Sequence, residues 1–172
     1  MKELILGGAR SGKSALAERL ARESGLAVTY VATATAGDGE MAARIAHHRE
    51  RRPAEWGLVE EPLALAAALR RHAGAERLLL VDCLTLWLSN LLAEDDSLFQ
   101  DERTALLEAL PTLPGRTILV SNEVGLGIVP LGELTRRYCD EAGRLHQDLA
   151  RLCDRVTFVA AGLPLIMKGR EL

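Results

Sequence analysis

Aromatic residues make up only 3% of the 172-residue chain. Its core therefore has to be assembled mainly from Leu, Val, Ile and Ala. Cysteines number three, Cys83, Cys139 and Cys153, with no C-x-x-C spacing. An odd count without that spacing argues against a disulfide framework or a zinc site, and it fits a reducing cytoplasm. No apolar run approaches the length of a membrane span, and Lys2, Glu3 and a glycine-rich stretch follow Met1 too closely to leave room for a signal peptide. Nor is there a surplus of positive charge. With Lys plus Arg at 21 against 24 for Asp plus Glu, a formal charge of -3, bulk electrostatics give no reason to bind nucleic acid or an anionic membrane. Internal repeats and low-complexity tracts are also missing. What remains is a chain of ordinary hydrophobicity, 48%, whose length suits one domain spanning residues 1–172.

The strongest positive signal is Gly7-Gly8-Ala9-Arg10-Ser11-Gly12-Lys13-Ser14, a full match to G-x-x-x-x-G-K-[ST]. Leu4-Ile5-Leu6 before it reads as a buried strand end, and Leu16 and Leu20 after it lie one helical turn apart. Such a loop turns successive N–H groups toward phosphate oxygens, and the helix N-terminus behind it adds partial positive charge. The pattern predicts a nucleoside triphosphate site. Lys13 would reach the terminal phosphates, and the Ser14 hydroxyl would complete a Mg²⁺ shell.

Strands are expected at Glu3–Leu6, Ala27–Ala32, Arg77–Asp82, Thr117–Ser121 and Val156–Ala160, with helical stretches between them. Near-continuous apolar runs of this kind suit parallel strands covered on both faces. The predicted fold is α/β, a three-layer sandwich of the P-loop NTPase type with a mainly parallel, RecA-like sheet. Ligands in such sheets sit beyond the carboxyl ends of the strands, so the residues just after each strand matter most. Leu78-Leu79-Leu80-Val81-Asp82 is a Walker-B-like strand that would bring the Asp82 carboxylate beside the phosphate loop to hold Mg²⁺. Small, hydroxyl-rich Ala32-Thr33-Ala34 opens either a connector or a nucleotide-contacting loop. Ser121-Asn122-Glu123 begins a glycine-punctuated apolar loop at the same edge.

The segment Glu40–Arg52 carries no helix breaker before Pro53 and bunches His47 and His48 with Arg44, Arg49, Arg51 and Arg52. Such crowding of cations is unfavourable unless an anion joins it, and the rival reading is a solvated basic face paired with Glu50 and nearby acids. In a chain that binds a triphosphate the anion site is the better reading. Neighbouring arginines would also keep an imidazole neutral and nucleophilic. Adjacent histidines point apart on a helix, so a metal site fits poorly. Glu60 and Glu61 either cap a helix over Leu63–His72, or Glu60 accepts hydrogen bonds from a base or ribose. Leu131–Leu152 reads as one or two helices, Asp101–Leu110 as a surface helix, and Glu94–Ser97 as an acidic turn without chemistry. His72 and His146 read as structural.

Five stretches together resemble the bifunctional adenosylcobinamide kinase / adenosylcobinamide-phosphate guanylyltransferase family of cobalamin biosynthesis. They are GGARSGKS at Gly7–Ser14, EMAARIAHHRERRP at Glu40–Pro53 with the following VEEP, VDCLTLWLSNLL at Val81–Leu92, SNEVGLGIVP at Ser121–Pro130, and AGRLHQ at Ala142–Gln147. The resemblance implies two reactions. A nucleoside triphosphate, ATP or GTP, phosphorylates the aminopropanol hydroxyl of adenosylcobinamide; GTP then delivers GMP to that phosphate through a guanylyl-histidine. It places the guanylylated residue at His48, and nucleotide contacts at Gly7, Gly8, Ala9, Arg10, Ser11, Gly12, Lys13, Ser14, Ala32, Thr33, Ala34, Arg49, Glu50, Arg51, Arg52, Glu60 and Asp82. It also implies a homotrimer. One departure stands out, because the family's usual asparagine in A-G-R-x-N-Q is His146 here.

Overall fold

Five apolar runs become the parallel core of one seven-stranded sheet. The structure, a computed structural model, describes residues 1–34 and 53–170. In chain order these residues form β1 (Lys2–Gly7), α1 (Lys13–Glu23), β2 (Ala27–Ala32), β3 (Gly57–Glu60), α2 (Leu65–His72), β4 (Arg77–Asp82), α3 (Leu84–Ala93), α4 (Asp96–Ala109), β5 (Arg116–Asn122), α5 (Glu133–Leu152), β6 (Arg155–Ala160) and β7 (Leu163–Lys168). A single turn of 3₁₀ helix follows α4. The strand order is β3-β2-β4-β5-β1-β6-β7, and every pairing is parallel except β6 with β7.

Two-residue periodicity within each apolar run sends alternate side chains to opposite faces. Leu4, Leu6, Leu79, Val81 and Leu119 pack on one face against Leu65 and Leu69 of α2, Trp87 and Leu91 of α3, Phe99 and Leu106 of α4, and Leu145 and Leu149 of α5. Ile5, Leu78, Leu80, Ile118 and Val120 face the other side, where α1 contributes Leu16, Ala17, Leu20 and Ala21. The result is the expected three-layer α/β sandwich. Aliphatic residues dominate both layers, and Trp87 and Phe99 are the largest fully buried side chains. Trp87 Nε1 donates to Leu63 O at 2.7 Å, so its polar edge is satisfied as well.

Three elements differ from expectation. The four-residue β3 forms beside β2 where a cap or ligand contact was read, and β7 returns antiparallel along β6. The two-residue link Ala161-Gly162 has positive φ at both positions, 51° and 78°, the conformation that lets a tight hairpin match strand twist. Helix α4 starts at Asp96 instead of Asp101, because the Asp95 carboxylate accepts the Leu98 N–H at 2.9 Å and caps it. The acidic turn therefore has a structural task.

Candidate active site

The parallel strands present Glu60, Ala32, Asp82, Asn122 and Gly7 along one edge of the sheet. Register fixes this row: Glu60 is opposite Ala32, Ala32 opposite Asp82, and Asn122 opposite Gly7. Beyond Gly7 the chain folds back sharply into α1. A Cβ on Gly7 would stand 2.5 Å from Val159 O and from Ser11 Oγ, so only glycine fits there. Gly12 has φ +99°, and its Cα neighbourhood is pressed against Gly162, whose N–H donates to Ser11 O at 2.8 Å. The β6–β7 turn thus braces the glycine loop from behind.

Helix α1 starts at Lys13 with no side-chain cap, since Gly12 stands at the cap position. Its first N–H groups and the positive end of its dipole are left for an anion. Lys13 is buried, and its ammonium donates to Gly8 O at 3.0 Å. Burial pulls its pKa down, opposed by the negative charge of Asp82 at the tip of β4. Ser14 follows in the first turn of α1, half-buried. Ser14, next to Lys13 in α1, and Asp82, whose charge acts on Lys13, offer two hard oxygen donors. Among the described residues no group of three or more His, Cys, Asp or Glu could hold a metal alone. A Mg²⁺ ion that takes its remaining ligands from phosphate oxygens and water fits this donor set.

The Asp82–Cys83 peptide is cis. Cys83 is buried, and desolvation with the neighbouring Asp82 charge pushes its thiol up to about 11, so it stays a neutral filler. Thr33 is fully buried. Its Oγ1 donates to Cys83 O at 2.6 Å and accepts from Cys83 N at 3.1 Å, while its carbonyl accepts from Asn90 Nδ2 at 2.8 Å. The Thr33 side chain is thus committed to holding the turn after β4. Ala32 and Ala34 flank it, half-buried at the edge, and Arg10 is exposed with φ 55°. Glu60 ends edge strand β3, and it is Glu61 whose Oε1 accepts the Leu63 and Ala64 N–H groups at 3.0 and 2.8 Å to start α2.

At the tip of β5, Glu123 N donates to Gly7 O at 3.0 Å. Asn122 Oδ1 and Ser11 Oγ are buried there without a hydrogen-bond partner. His146, expected to be structural, sits 2.8 Å from Ser121 Oγ through Nε2. Sequence reasoning missed this polar cluster and the Thr33–Cys83 clamp, and no local pattern in the chain could have announced either. The loop after Glu123 leaves Leu126, Ile128, Val129 and Leu131 exposed. His48, Arg49, Glu50, Arg51 and Arg52 lie outside the described residues, as does His47.

A glycine loop clamped between a central parallel strand and an uncapped helix, with a buried lysine facing an acid at the tip of the next strand but one, defines a P-loop nucleotide-binding protein of RecA-like architecture. Solved structures agree on the fold. The RadB recombinase matches over 91% of this chain and 73% of its own, with TM-score 0.54 and 19% identity. The type III secretion ATPase EscN of enteropathogenic E. coli matches over 93% and 43%, with TM-score 0.56 and 13% identity.

Sequence comparison is more specific. The family model for cobinamide kinase / cobinamide phosphate guanyltransferase matches residues 3–167. The bifunctional adenosylcobalamin biosynthesis protein CobP of Pseudomonas aeruginosa is 70% identical over the full length of both chains. Its counterpart CobU of Escherichia coli K12 is 38% identical over 98% of this chain and 100% of its own. The chain belongs to this family of bifunctional kinase and nucleotidyltransferase enzymes.

Proposed function

We propose that the chain phosphorylates adenosylcobinamide and then guanylylates the product, through a covalent GMP on His48, to give adenosylcobinamide-GDP and pyrophosphate in the cytoplasm. The observation that carries this reading is the buried Lys13 ammonium beside the uncapped N-terminus of α1, facing Asp82, in a chain of this family. In the first reaction the α1 N–H groups and Lys13 hold the nucleotide's phosphates and take up charge that spreads over the transferring phosphoryl group. The attacking substrate oxygen forms a bond to the terminal phosphorus as the bond to the bridging oxygen breaks, and the nucleoside diphosphate leaves with that electron pair. Bound Mg²⁺, held through Ser14 and Asp82, would supply charge neutralisation across the phosphates.

In the second reaction a neutral His48 nitrogen attacks the α-phosphorus of GTP and pyrophosphate leaves. A phosphate oxygen of adenosylcobinamide phosphate then attacks the same phosphorus, and the histidine leaves neutral. Arg49, Arg51 and Arg52 supply nearby positive charge, and Ala32, Thr33, Ala34, Arg10, Glu50 and Glu60 complete the proposed nucleotide surroundings. Exposed apolar side chains on β7, Leu163, Leu165 and Met167, and on the loop after Glu123 support association between copies of the chain, for which the family resemblance implies a homotrimer. Among the described residues no helix is long and apolar enough to cross a membrane.

Intact-protein mass spectrometry after incubation with GTP and Mg²⁺ tests the covalent step. A GMP-sized addition that is lost in His48→Ala and kept in His47→Ala is expected. A mass that never changes would leave a simple small-molecule kinase. Loss in the His47 variant alone would move the nucleophile by one residue.

A further inference from the structure

Behind the phosphate loop, side chains from three elements form one continuous polar contact that the two reactions leave unused. His146 lies on the buried stripe of α5, 6% exposed. Its Nε2 is 2.8 Å from Ser121 Oγ, and its Nδ1 is 3.5 Å from Glu123 Oε2. Thr85, in the first turn of α3, accepts the Asn122 N–H at 2.7 Å and lies 3.5 Å from Ser121 Oγ. Glu123 Oε1 accepts the Gly125 N–H at 2.6 Å, and the Glu123 N–H reaches Gly7 O.

Donor and acceptor counting gives this chain a direction. The Nδ1 that faces a carboxylate has to carry the proton, since the other tautomer would set a lone pair against negative charge. Nε2 is then an acceptor, so the Ser121 hydroxyl donates to it. The oxygen of Ser121 is left to accept from Thr85, whose own oxygen already takes the Asn122 N–H. Every group points the same way, from the backbone of Asn122 to the carboxylate of Glu123. Asn122 is the register partner of Gly7, so the chain ends where the phosphate loop begins.

We infer that His146 is a positioning residue for the phosphoryl chemistry, holding the tip of β5, Glu123 and Gly7 in place only while its imidazole is neutral. The inference rests on the nucleotide-binding reading given above. Protonation would turn Nε2 into a donor and drive the Ser121 hydroxyl off it toward Thr85, whose oxygen would then have to accept from Ser121 as well as from the Asn122 N–H beside Gly7. Glu123 is the charged group that acts on the ring; Ser121 and Thr85 are neutral. Tyr138, whose hydroxyl donates to Thr85 O at 3.0 Å, is pushed up by burial and stays neutral too. Cys139 contributes only a contact to Val124 O. Burial holds the imidazole below its usual value, and the Glu123 charge opposes that shift. The neutral form is therefore the resting one, and the switch lies on the acid side.

The test measures MgATP affinity of the full-length protein by calorimetry at intervals from about pH 8 down to about pH 5.5. Wild type is expected to lose about two- to fivefold in affinity toward the acid end beyond what the titration of ATP itself explains. His146→Asn, which keeps a hydrogen bond to Ser121 but cannot titrate, is expected to follow ATP's own profile. Glu123→Gln is expected to move the midpoint to lower pH, because the lost carboxylate was raising the imidazole pKa. Superimposable profiles for wild type and His146→Asn overturn the proposal. Should either variant fold poorly, histidine NMR of the wild type decides instead. Saturating MgADP is expected to lower the His146 midpoint, and a midpoint that does not move overturns the proposal. Absence of nucleotide binding at every pH would sink the functional reading along with this one.

Discussion

The two edges of the sheet treat buried polar groups in opposite ways. At the N-terminal edge the buried charges are answered. The Lys2 ammonium donates to Leu113 O at 2.8 Å and Gly115 O at 3.3 Å, while the Lys2 N–H is taken by Asp154 at 2.7 Å. Glu3, 1% exposed, is held by Arg116 at 2.5 Å and Arg155 at 3.2 Å. Thr117 Oγ1 and Arg155 Nε lack partners there, but neither leaves a charge unpaired, since Arg155 reaches Glu3 through another nitrogen. At the C-terminal edge, Ser11 Oγ and Asn122 Oδ1 are buried without hydrogen bonds, and α1 begins uncapped. Native proteins leave few such groups unsatisfied without reason. One edge is built to stay folded, and the other leaves groups open for the charged ligand proposed above.

If that contrast is right, damage at the two edges should separate cleanly. Lys13→Ala removes the cation proposed to hold the phosphates. Both proposed reactions should fall by about 10²- to 10³-fold, while thermal unfolding moves little. Steady-state kcat/KM for each half-reaction, set beside a melting curve, checks this. Unchanged turnover in both would break the comparison at its functional end.

Glu3→Ala should do the reverse. It strands Arg116 and Arg155 beside a buried void, which costs about 3–5 kcal/mol of stability. MgATP affinity of the fraction that folds should be unchanged. Urea unfolding and calorimetry on the same preparation would show whether the N-terminal edge acts through stability alone.

Thr33 sharpens the comparison because it stands at the ligand edge but behaves like a group of the other one. Thr33→Val keeps the shape and deletes both hydrogen bonds to Cys83, leaving a buried N–H without a partner while the Cys83 carbonyl keeps the Trp87 N–H. A loss of about 1–3 kcal/mol is expected. A larger effect on nucleotide affinity than on stability would mean that Thr33 belongs with the site residues proper.

What could be read from the chain follows from how local each signal is. β2 and β4 were placed at their true ends because their apolar runs are unbroken and bounded by Ala27 and Arg77 at one end and Ala32 and Asp82 at the other. The phosphate loop and Asp82 were legible for the same reason, since each is a short contiguous pattern. β3 was missed because it is an edge strand of four residues, mostly exposed, with no face to make periodic. β7 was missed because Pro164 interrupts a strand that exposes most of its residues. The Thr33–Cys83 and Ser121–His146 contacts join residues 50 and 25 positions apart, brought together by the register of β2 with β4 in one case and by the packing of α5 on the sheet in the other.

The smallest expected effect also comes from His146, read through stability instead of binding. Its folded pKa is lowered, so between that value and the ordinary one near 6.5 the unfolded chain binds more protons than the folded chain. Stability from this group is therefore complete above about pH 6.5 and declines as pH falls through the window, at no more than about 1.4 kcal/mol per pH unit. His146→Asn should remove that slope while the contributions of other titrating groups remain in both proteins. The difference between the two urea-unfolding series isolates the term. A difference that is flat with pH would mean the imidazole is no less basic when folded than unfolded. In that case the contact with Glu123 outweighs burial, and the ligand edge is less starved of partners than the N-terminal edge makes it look.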